Sequence, residues 1–106
     1  MKRGEIWTLR DKNYASKARP VVVIQSDKHN SFDSVILCLF TSFESGDIST
    51  RAPVEPSTEN GLQEKSYVMT DKIVTVDKNM LGNRVGVLSD EDMVAISEQL
   101  KIILDL

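Results

Sequence analysis

The sequence predicts a mainly β protein with one C-terminal helix (α+β), in which the strands form a small curved barrel. Two observations predict this fold class. Short runs rich in β-branched residues recur as far as Leu88 and are separated by polar turns, which is typical of strands. After Leu88 the apolar residues recur at spacings of three and four, as on one face of a helix. A chain of 106 residues is long enough for a single domain, residues 1–106, with a modest core.

Two strands are predicted in the N-terminal part of the chain. Residues 5–10 alternate between two faces, with Ile6 opposite to Leu9, which indicates a first strand. Residues 11–18 are polar and predict a loop. Residues 20–25 form a continuous β-branched run, which is typical of a central strand buried on both faces.

The middle of the chain predicts further short strands separated by turns. Asn60-Gly61 is the sharpest turn signal, and Ser26 is placed to cap one helical turn. The predicted segments are a connector at 26–31, a strand at 35–40, a loop at 41–47, an edge strand with two prolines at 52–56, a turn at 57–61, strands at 66–69 and 72–76 or one bent strand that spans both, and a last strand at 86–88.

The closing helix has the clearest signals in the sequence. Ser89 is the predicted N-cap, and Asp92 stands three residues later as a weak capping box. Acidic residues fill the first turn, where the helix dipole favours negative charge. The predicted apolar stripe consists of Met93, Ile96, Leu100, Ile103 and Leu104.

The cysteine and histidine content limits the chemistry. Cys38 is the only cysteine, and we expect it to be a small buried hydrophobe in a reducing compartment. The only histidine, His29, lies in the predicted connector and is expected to be solvated, so no zinc site is predicted. The first residues contain no signal-peptide core, and no apolar run approaches the roughly 20 residues that span a bilayer. We expect a cytoplasmic protein.

Charge is distributed unevenly along the chain. The net charge is −3, but residues 1–30 carry +4 and the remaining residues carry −7. The basic N-terminal third either forms one positive face that attracts a polyanion or only keeps the chain soluble.

Several motifs, taken in order along the chain, resemble those of the MazF/PemK family of toxin endoribonucleases. The resemblance covers essentially the whole chain. The motifs are Arg3-Gly4-Glu5-Ile6-Trp7, then Arg19-Pro20-Val21-Val22-Val23-Ile24-Gln25-Ser26-Asp27 with Asn30 shortly after, then Leu39-Phe40-Thr41-Ser42, then Gly61-Leu62 with Ser66 and Val68, then Ile73-Val74-Thr75-Val76-Asp77-Lys78, and finally Gly86 with the closing helix.

The resemblance implies more than the patterns alone. It implies an SH3-like barrel with a terminal helix, a homodimer, and the toxin role in a type II toxin-antitoxin system. It also implies sequence-specific cleavage of single-stranded RNA without a metal or other cofactor, the RNA being mRNA or else tRNA or rRNA. The implied partner is a cognate antitoxin whose disordered tail covers the RNA groove.

Metal-independent RNA cleavage needs a base for the 2′-hydroxyl, an acid for the departing 5′-oxygen and a fixed cation. Arg19 is the candidate cation, because its planar fork suits phosphate oxygens, and it is also a candidate acid. Thr41 and Ser42 stand where a strand meets a loop, and their hydroxyls are candidates for binding the scissile phosphate. Thr41 is the stronger match by resemblance. The alternative for both residues is that they cap a turn.

Lys17, Asp71 and Gln25 complete the candidate RNA-binding residues. Many relatives carry Gly-x-Glu or His-Glu before the Arg-Pro pair, but residues 11–18 lack both, so a base from that loop is missing. Some relatives place an arginine two residues before an aspartate in the later strand. Here Met69 occupies that position before Asp71, so the same arginine–carboxylate arrangement is not expected. Asp71 is then a general base for the reaction, a hydrogen-bond acceptor that recognises a nucleobase, or a solvated carboxylate.

Two other functions compete with RNA cleavage. The first is a non-catalytic gyrase poison of the same fold, resembling CcdB, which depends on a C-terminal helix that ends in a Trp-Gly-type tail. Residues 101–106 contain neither tryptophan nor glycine. The second is an SH3-like binding module with an aromatic groove, but aromatic residues are only 6% of this chain and do not cluster in the sequence.

Overall fold

Six strands and one α-helix form the part of the chain that the structure, a computed structural model, describes: residues 1–10, 19–44 and 49–106. The mainly β fold with a C-terminal helix is confirmed. The elements are β1 (Glu5–Leu9), β2 (Arg19–Val23), a 3₁₀ turn (Asp27–His29), β3 (Ser34–Thr41), β4 (Arg51–Val54), β5 (Ser66–Asp77), a 3₁₀ turn (Lys78–Met80), β6 (Leu81–Val87) and α1 (Asp90–Leu104).

All six strands belong to one antiparallel sheet in the order β4-β5-β3-β2-β1-β6. The sheet curls so that its two edges approach each other. The Val87 N–H of β6 donates a hydrogen bond of 2.9 Å to the Glu59 carbonyl in the segment after β4. This contact gives the sheet the barrel-like shape that the sequence predicts.

Apolar clusters cover both faces of the sheet. Ile6 and Val22 lie in the first cluster, which α1 covers through Ile96 and Leu100. Val21 and Val23 lie in a second cluster on the other face. The prediction that residues 20–25 form a strand buried on both faces is therefore confirmed through Val23. Val21, Val22 and Val23 are fully buried, whichever face of β2 they lie on. This burial of apolar surface stabilises the position of the strand.

Cys38 is buried in the first cluster, as predicted. Burial disfavours the thiolate and raises the pKa of the Cys38 thiol to about 12. The thiol is therefore protonated and unreactive at neutral pH.

Both predicted caps are present. The Ser26 side chain accepts a hydrogen bond from the Lys28 N–H at 3.2 Å, and the Ser89 side chain accepts one from the Asp92 N–H at 3.1 Å. The apolar stripe of α1 is predicted correctly only as far as Leu100. Ile103 and Leu104 are 38% and 49% exposed, because the last turn of the helix extends beyond the core clusters.

Of the two alternatives for residues 66–76, the single bent strand is confirmed: both segments belong to β5, with a register irregularity opposite Cys38 and Leu39. One strand prediction is corrected. The last strand begins at Leu81 and not at Gly86, as the sequence predicted. The Gly-Asn-Arg segment at 82–84 resembles a turn, but its pairing with β1 keeps it in the sheet. The predictions for residues 11–18 lie outside the described residues, as does part of the predicted loop at 41–47. Within the described ranges, no helix has the length and apolarity needed to cross a membrane.

Asn60 organises the predicted turn at 57–61. Its side chain is 3% exposed, and its Oδ1 accepts hydrogen bonds from the N–H groups of Ser57 and Leu62. Its Nδ2 donates to the Glu55 carbonyl at 2.8 Å. The next residue, Gly61, has φ +69°, and a Cβ there would lie 2.3 Å from a backbone oxygen of β6. The turn therefore requires both residues.

We expect Asn60→Ala to lower the free energy of unfolding by about 2 kcal/mol or more, because it leaves buried backbone groups without partners. Urea unfolding followed by circular dichroism measures the change. Asn79→Ala, at an exposed asparagine, is the matched control and should have little effect. Equal stability of the two variants would contradict this role of Asn60.

Candidate functional site

A row of four side chains crosses the sheet at one of its ends. Thr41 of β3 pairs with Tyr67 of β5, which pairs with Pro53 of β4. On the other side, Val21 pairs with Leu39, so continuing this register by two residues places Arg19 of β2 opposite Thr41. Directly paired residues of antiparallel strands project from the same face. We call Arg19, Thr41, Tyr67 and Pro53 the Arg19 row.

The Arg19 row faces away from the helix. The adjacent residues Phe40, Ala52 and Val68 point into the first apolar cluster beneath α1. Because side chains alternate along a strand, the row projects from the opposite face. Arg19 and Pro53 are exposed, while Thr41 and Tyr67 are half-buried. The row therefore offers a cation, a hydroxyl and a ring to a molecule that approaches this face.

Arg19 begins β2 and is free of ion pairs with carboxylates of the described residues. Arg10, also exposed, follows the end of β1 at the same end of the sheet, since Leu9 pairs with Arg19. An exposed guanidinium on a strand end keeps its donors available for an anion such as phosphate.

The basic residues of the N-terminal third that the structure describes do not all lie at one end of the sheet. Arg3 lies at the opposite end of β2, where its guanidinium donates to the Ile24 carbonyl and, at 2.7 Å, to Ser97 of α1. Its backbone N–H donates to Asp27 at 2.7 Å. The basic residues of the N-terminal third are thus divided between the two ends of the sheet. Of those that the structure describes, Arg10 and Arg19 lie at the end of the sheet that carries the Arg19 row.

The Thr41 hydroxyl has a local structural role. Its Oγ1 accepts a hydrogen bond of 3.1 Å from the N–H of Phe43, so the predicted turn cap is present. A hydroxyl that accepts one hydrogen bond still has its own proton to donate. Thr41 can therefore cap the turn and donate to a bound anion at the same time. Ser42 lies exposed beside it, just after the end of β3.

Asp71 forms an ion pair that the sequence did not predict. The Arg51 Nη1 lies 2.5 Å from the Asp71 Oδ1 and also donates to the Thr50 hydroxyl at 2.9 Å. Arg51 of β4 pairs directly with Met69 of β5. An arginine–carboxylate pair is therefore present, but its arginine comes from the neighbouring strand and not from position 69, where Met69 stands.

The ion pair sets the protonation of Asp71. Partial burial raises the pKa of its carboxyl, but the hydrogen bond and the charge of Arg51 outweigh it, so the pKa lies below the ordinary 3.8. Asp71 is therefore ionised at neutral pH and is a weak base, because a lowered pKa means a low affinity for a proton.

The remaining candidates are not part of the row. Gln25 lies beyond the far end of β2, about 20 Å from Arg19 at the usual rise of a strand. Its amide donates to the His29 carbonyl and accepts a hydrogen bond from the Ile36 N–H at 3.0 Å. His29 is exposed, as predicted. Lys17 lies outside the described residues.

The structure thus places Arg19, Thr41 and Ser42 at one end of the sheet. Asp71 lies four residues after Tyr67 on β5 and pairs with Arg51, which lies two residues before Pro53 on β4. Sequence reasoning missed Arg51 and Tyr67. Only the pairing of distant strands brings these two residues to the site. In the described ranges, no cluster of three or more histidine, cysteine or acidic side chains is arranged to hold a metal ion.

The fold and the row define a class: a small mainly β protein that carries an exposed arginine and a threonine hydroxyl at one end of its sheet. Comparison with known proteins identifies the family. Residues 2–104 match the model of the PemK-like, MazF-like toxin of type II toxin-antitoxin systems. The chain belongs to this family.

Two curated relatives agree with the family match. The probable endoribonuclease MazF of Mycolicibacterium smegmatis is 36% identical over 98% of this chain and 96% of its own length. The endoribonuclease MazF of Staphylococcus saprophyticus is 31% identical over 100% of this chain and 92% of its own length. The family and these relatives place the chain among the endoribonucleases.

Solved structures share the fold over nearly the whole length. A mycobacterial endoribonuclease in complex with its cognate antitoxin has a TM-score of 0.85 at 26% identity, covering 100% of this chain and 96% of that one. The Mycobacterium tuberculosis toxin MazF-mt6 has a TM-score of 0.80 at 26% identity, covering 96% of this chain and 97% of that one.

The Arg51–Asp71 pair predicts a pH dependence of stability. A carboxyl whose pKa is lowered by folding stabilises the fold above its unfolded pKa, and this contribution is lost as the pH falls through the folded pKa. We expect wild type to be more stable than Asp71→Asn at neutral pH, by a margin that shrinks below about pH 4.

Urea midpoints of both proteins at neutral and at acidic pH measure this margin. Asp77→Asn, at an exposed carboxylate that pairs with no lysine or arginine of the described residues, is the matched control. A margin that stays constant down to about pH 2 would mean that the charge of Asp71 does not stabilise the fold.

Proposed function

We propose that this toxin cleaves single-stranded RNA at short specific sequences, without a metal, through attack of the RNA 2′-hydroxyl on the adjacent phosphate. The observation that carries the proposal is the Arg19 row, in which the exposed Arg19 and the half-buried Thr41 stand on neighbouring strands, two residues beyond the Val21–Leu39 pair. Neighbouring strands are about 5 Å apart, so a guanidinium and a hydroxyl donor on them can reach oxygens of one phosphate group.

The proposed reaction uses the RNA's own nucleophile. The 2′-oxygen forms a bond to phosphorus as its proton passes to a water molecule, and the bond from phosphorus to the 5′-oxygen breaks as that oxygen takes a proton from Arg19, which solvent then reprotonates. The products are a 2′,3′-cyclic phosphate and a 5′-hydroxyl. DNA lacks the nucleophile, which accounts for a restriction to RNA.

Arg19 and Thr41 are the proposed catalytic residues. The fork of Arg19 stabilises the extra negative charge on the non-bridging oxygens of the pentacoordinate transition state, and Arg19 is also the candidate acid for the 5′-oxygen. Thr41 donates its hydroxyl proton to one of these oxygens while its own oxygen accepts from the Phe43 N–H. This capping contact orients the hydroxyl before RNA binds.

Asp71, Ser42 and Lys17 are proposed to contact the RNA. We assign Asp71 as an acceptor for a base edge and not as the general base, because Arg51 lowers its proton affinity. Ser42 adjoins the scissile phosphate, and Lys17 belongs to the segment that leads into Arg19. Gln25 is removed from the set, because its amide holds the backbone at the far end of the sheet.

We also propose a homodimer and an acidic antitoxin segment as partners, both acting in the cytoplasm. The antitoxin segment would cover the Arg19 row, since the same cations attract a carboxylate-rich chain. Exposed apolar residues on α1 and just after it support self-association: Val94, Ile102, Ile103 and Leu104 on the helix, and Leu106 beyond its C-cap. Light scattering tests the dimer, and a monomer at micromolar concentration would contradict it.

The gyrase-poison alternative is not favoured. The curated relatives above are endoribonucleases.

We expect the wild type to cut a long single-stranded RNA in EDTA at defined sites, and Arg19→Ala to lower the rate by about 100-fold or more, because it removes the fixed cation. Gel electrophoresis of end-labelled RNA measures both rates. Lys28→Ala, an exposed cation at the opposite end of β2, is the control and should cut normally. Absence of sequence-restricted cleavage by the wild type would refute the proposed activity, and equal rates for wild type and Arg19→Ala would refute the role of Arg19.

We expect Thr41→Ala to lower kcat by about tenfold or more, because a hydrogen bond to the transition state is lost. Thr41→Ser keeps the hydroxyl and should retain most of the activity. Thermal unfolding of both variants separates this effect from the loss of the turn cap. Unchanged kcat in Thr41→Ala would reduce Thr41 to a structural residue.

A further inference from the structure

An aromatic ring stands directly beside the proposed catalytic hydroxyl. Tyr67 pairs with Thr41 across β3 and β5, and their Cβ atoms are therefore about 5 Å apart on the same face. Pro53, exposed on β4, is the partner of Tyr67 on its other side. From β2 to β4, the Arg19 row therefore presents a cation, a hydroxyl, an aromatic ring and an apolar proline at the edge of the sheet.

The surroundings of the Tyr67 ring suit a nucleotide. The Lys65 ammonium, which also pairs with the Glu55 carboxylate at 3.4 Å, lies over the ring at 5.8 Å from its centroid. Tyr67 is half-buried, so packing holds it while part of the ring remains accessible. A fixed ring beside cations is the arrangement on which proteins stack the bases of single strands.

A second aromatic residue, Phe43, follows Thr41 two residues later in the chain. Phe43 is 72% exposed, and its N–H is bound to the Thr41 hydroxyl. Exposure alone is not diagnostic, because Phe32, before β3 at the far end of the sheet, is 61% exposed. Phe43 differs from Phe32 in its position, because its backbone N–H is bound to the Thr41 hydroxyl, which is proposed to hold the phosphate.

We infer that Tyr67 is the platform on which a base next to the scissile phosphate stacks, with Phe43 as the second ring of the same subsite. The inference rests on the proposed RNA cleavage and adds the residues that hold the base. A base lies one sugar away from its phosphate, which is comparable to one or two strand spacings of about 5 Å each. A phosphate on Arg19 and Thr41 therefore brings an adjoining base over Tyr67.

Stacking predicts a specific pattern of kinetic effects. It contributes to binding of the strand and involves every base through its flat face, so it depends on the ring and not on the phenol hydroxyl. Removing the ring should raise KM and the Kd for RNA about tenfold while changing kcat less. The effect should disappear when the stacked base is itself absent from the RNA.

The test uses a short RNA that contains one cleavage site, and the same RNA with a 2′-deoxy nucleotide at that site to prevent cutting. Kd is measured by fluorescence anisotropy on the uncut RNA, and KM and kcat on the cleavable one. The variants are Tyr67→Ala, Tyr67→Phe and Phe43→Ala, with Phe32→Ala as the matched control. Tyr67→Leu, which keeps apolar bulk without the ring, replaces Tyr67→Ala if the latter does not fold.

Abasic substitutions then locate the stacked base. Each nucleotide next to the cut is made abasic in turn, and Kd is compared between wild type and Tyr67→Ala. We expect Tyr67→Phe and Phe32→Ala to bind like wild type, Phe43→Ala to bind more weakly, and the loss in Tyr67→Ala to vanish for one abasic position.

Different failures have different meanings. Wild type that cuts RNA while Tyr67→Ala binds it equally well would overturn the stacking inference and leave the proposed activity intact. The same holds if the loss in Tyr67→Ala is equal for every abasic position, since the ring would then have only a structural role. Wild type that cuts no RNA would refute the proposed activity, and the stacking inference with it.

Discussion

The register of β3 between β2 and β5 decides which side chains meet at the exposed end of the sheet. Because side chains alternate with a period of two, a slip by one residue would turn Thr41 toward the α1 face and bring Phe40 out. Burial opposes such a slip: Val21 and Val22, on opposite faces of β2, are both 0% exposed. The Arg19 row is therefore held by the two apolar clusters, although none of its members belongs to either one.

The irregularity in β5 extends what this register can present. Between the pairs Leu39–Met69 and Cys38–Ile73, residues 70–72 have no direct partner on β3. Thr70 turns inward, where its hydroxyl donates to the Thr50 carbonyl at 3.0 Å and lies 3.2 Å from the Gln99 side-chain amide of α1. Asp71 remains exposed and pairs with Arg51, on the strand next to the proposed phosphate site. The same interruption thus anchors the helix and fixes a carboxylate near the Arg19 row.

Features that depend on neighbouring residues could be predicted from the sequence. Ser26 and Ser89 are caps because their partners lie two or three residues away. Features that depend on pairing between distant segments could not. Arg51 lies 20 residues from Asp71 and meets it only because β4 and β5 are in register. Likewise, the sequence around Gly82 resembles a turn. It forms a strand because it pairs with β1, which is distant in the chain.

The central claim is that RNA binds across the Arg19 row, with its phosphate near Thr41 and a base near Tyr67. Amide chemical shifts of the isotope-labelled protein, recorded as a 2′-deoxy-blocked RNA is added, test this claim most directly. If RNA binds there, the largest changes in amide chemical shift will occur at Arg19, at Thr41 to Phe43 and at Tyr67, and the shifts of Gln25 and His29 will change little. Changes centred on Gln25 and His29, with none along the Arg19 row, would contradict it.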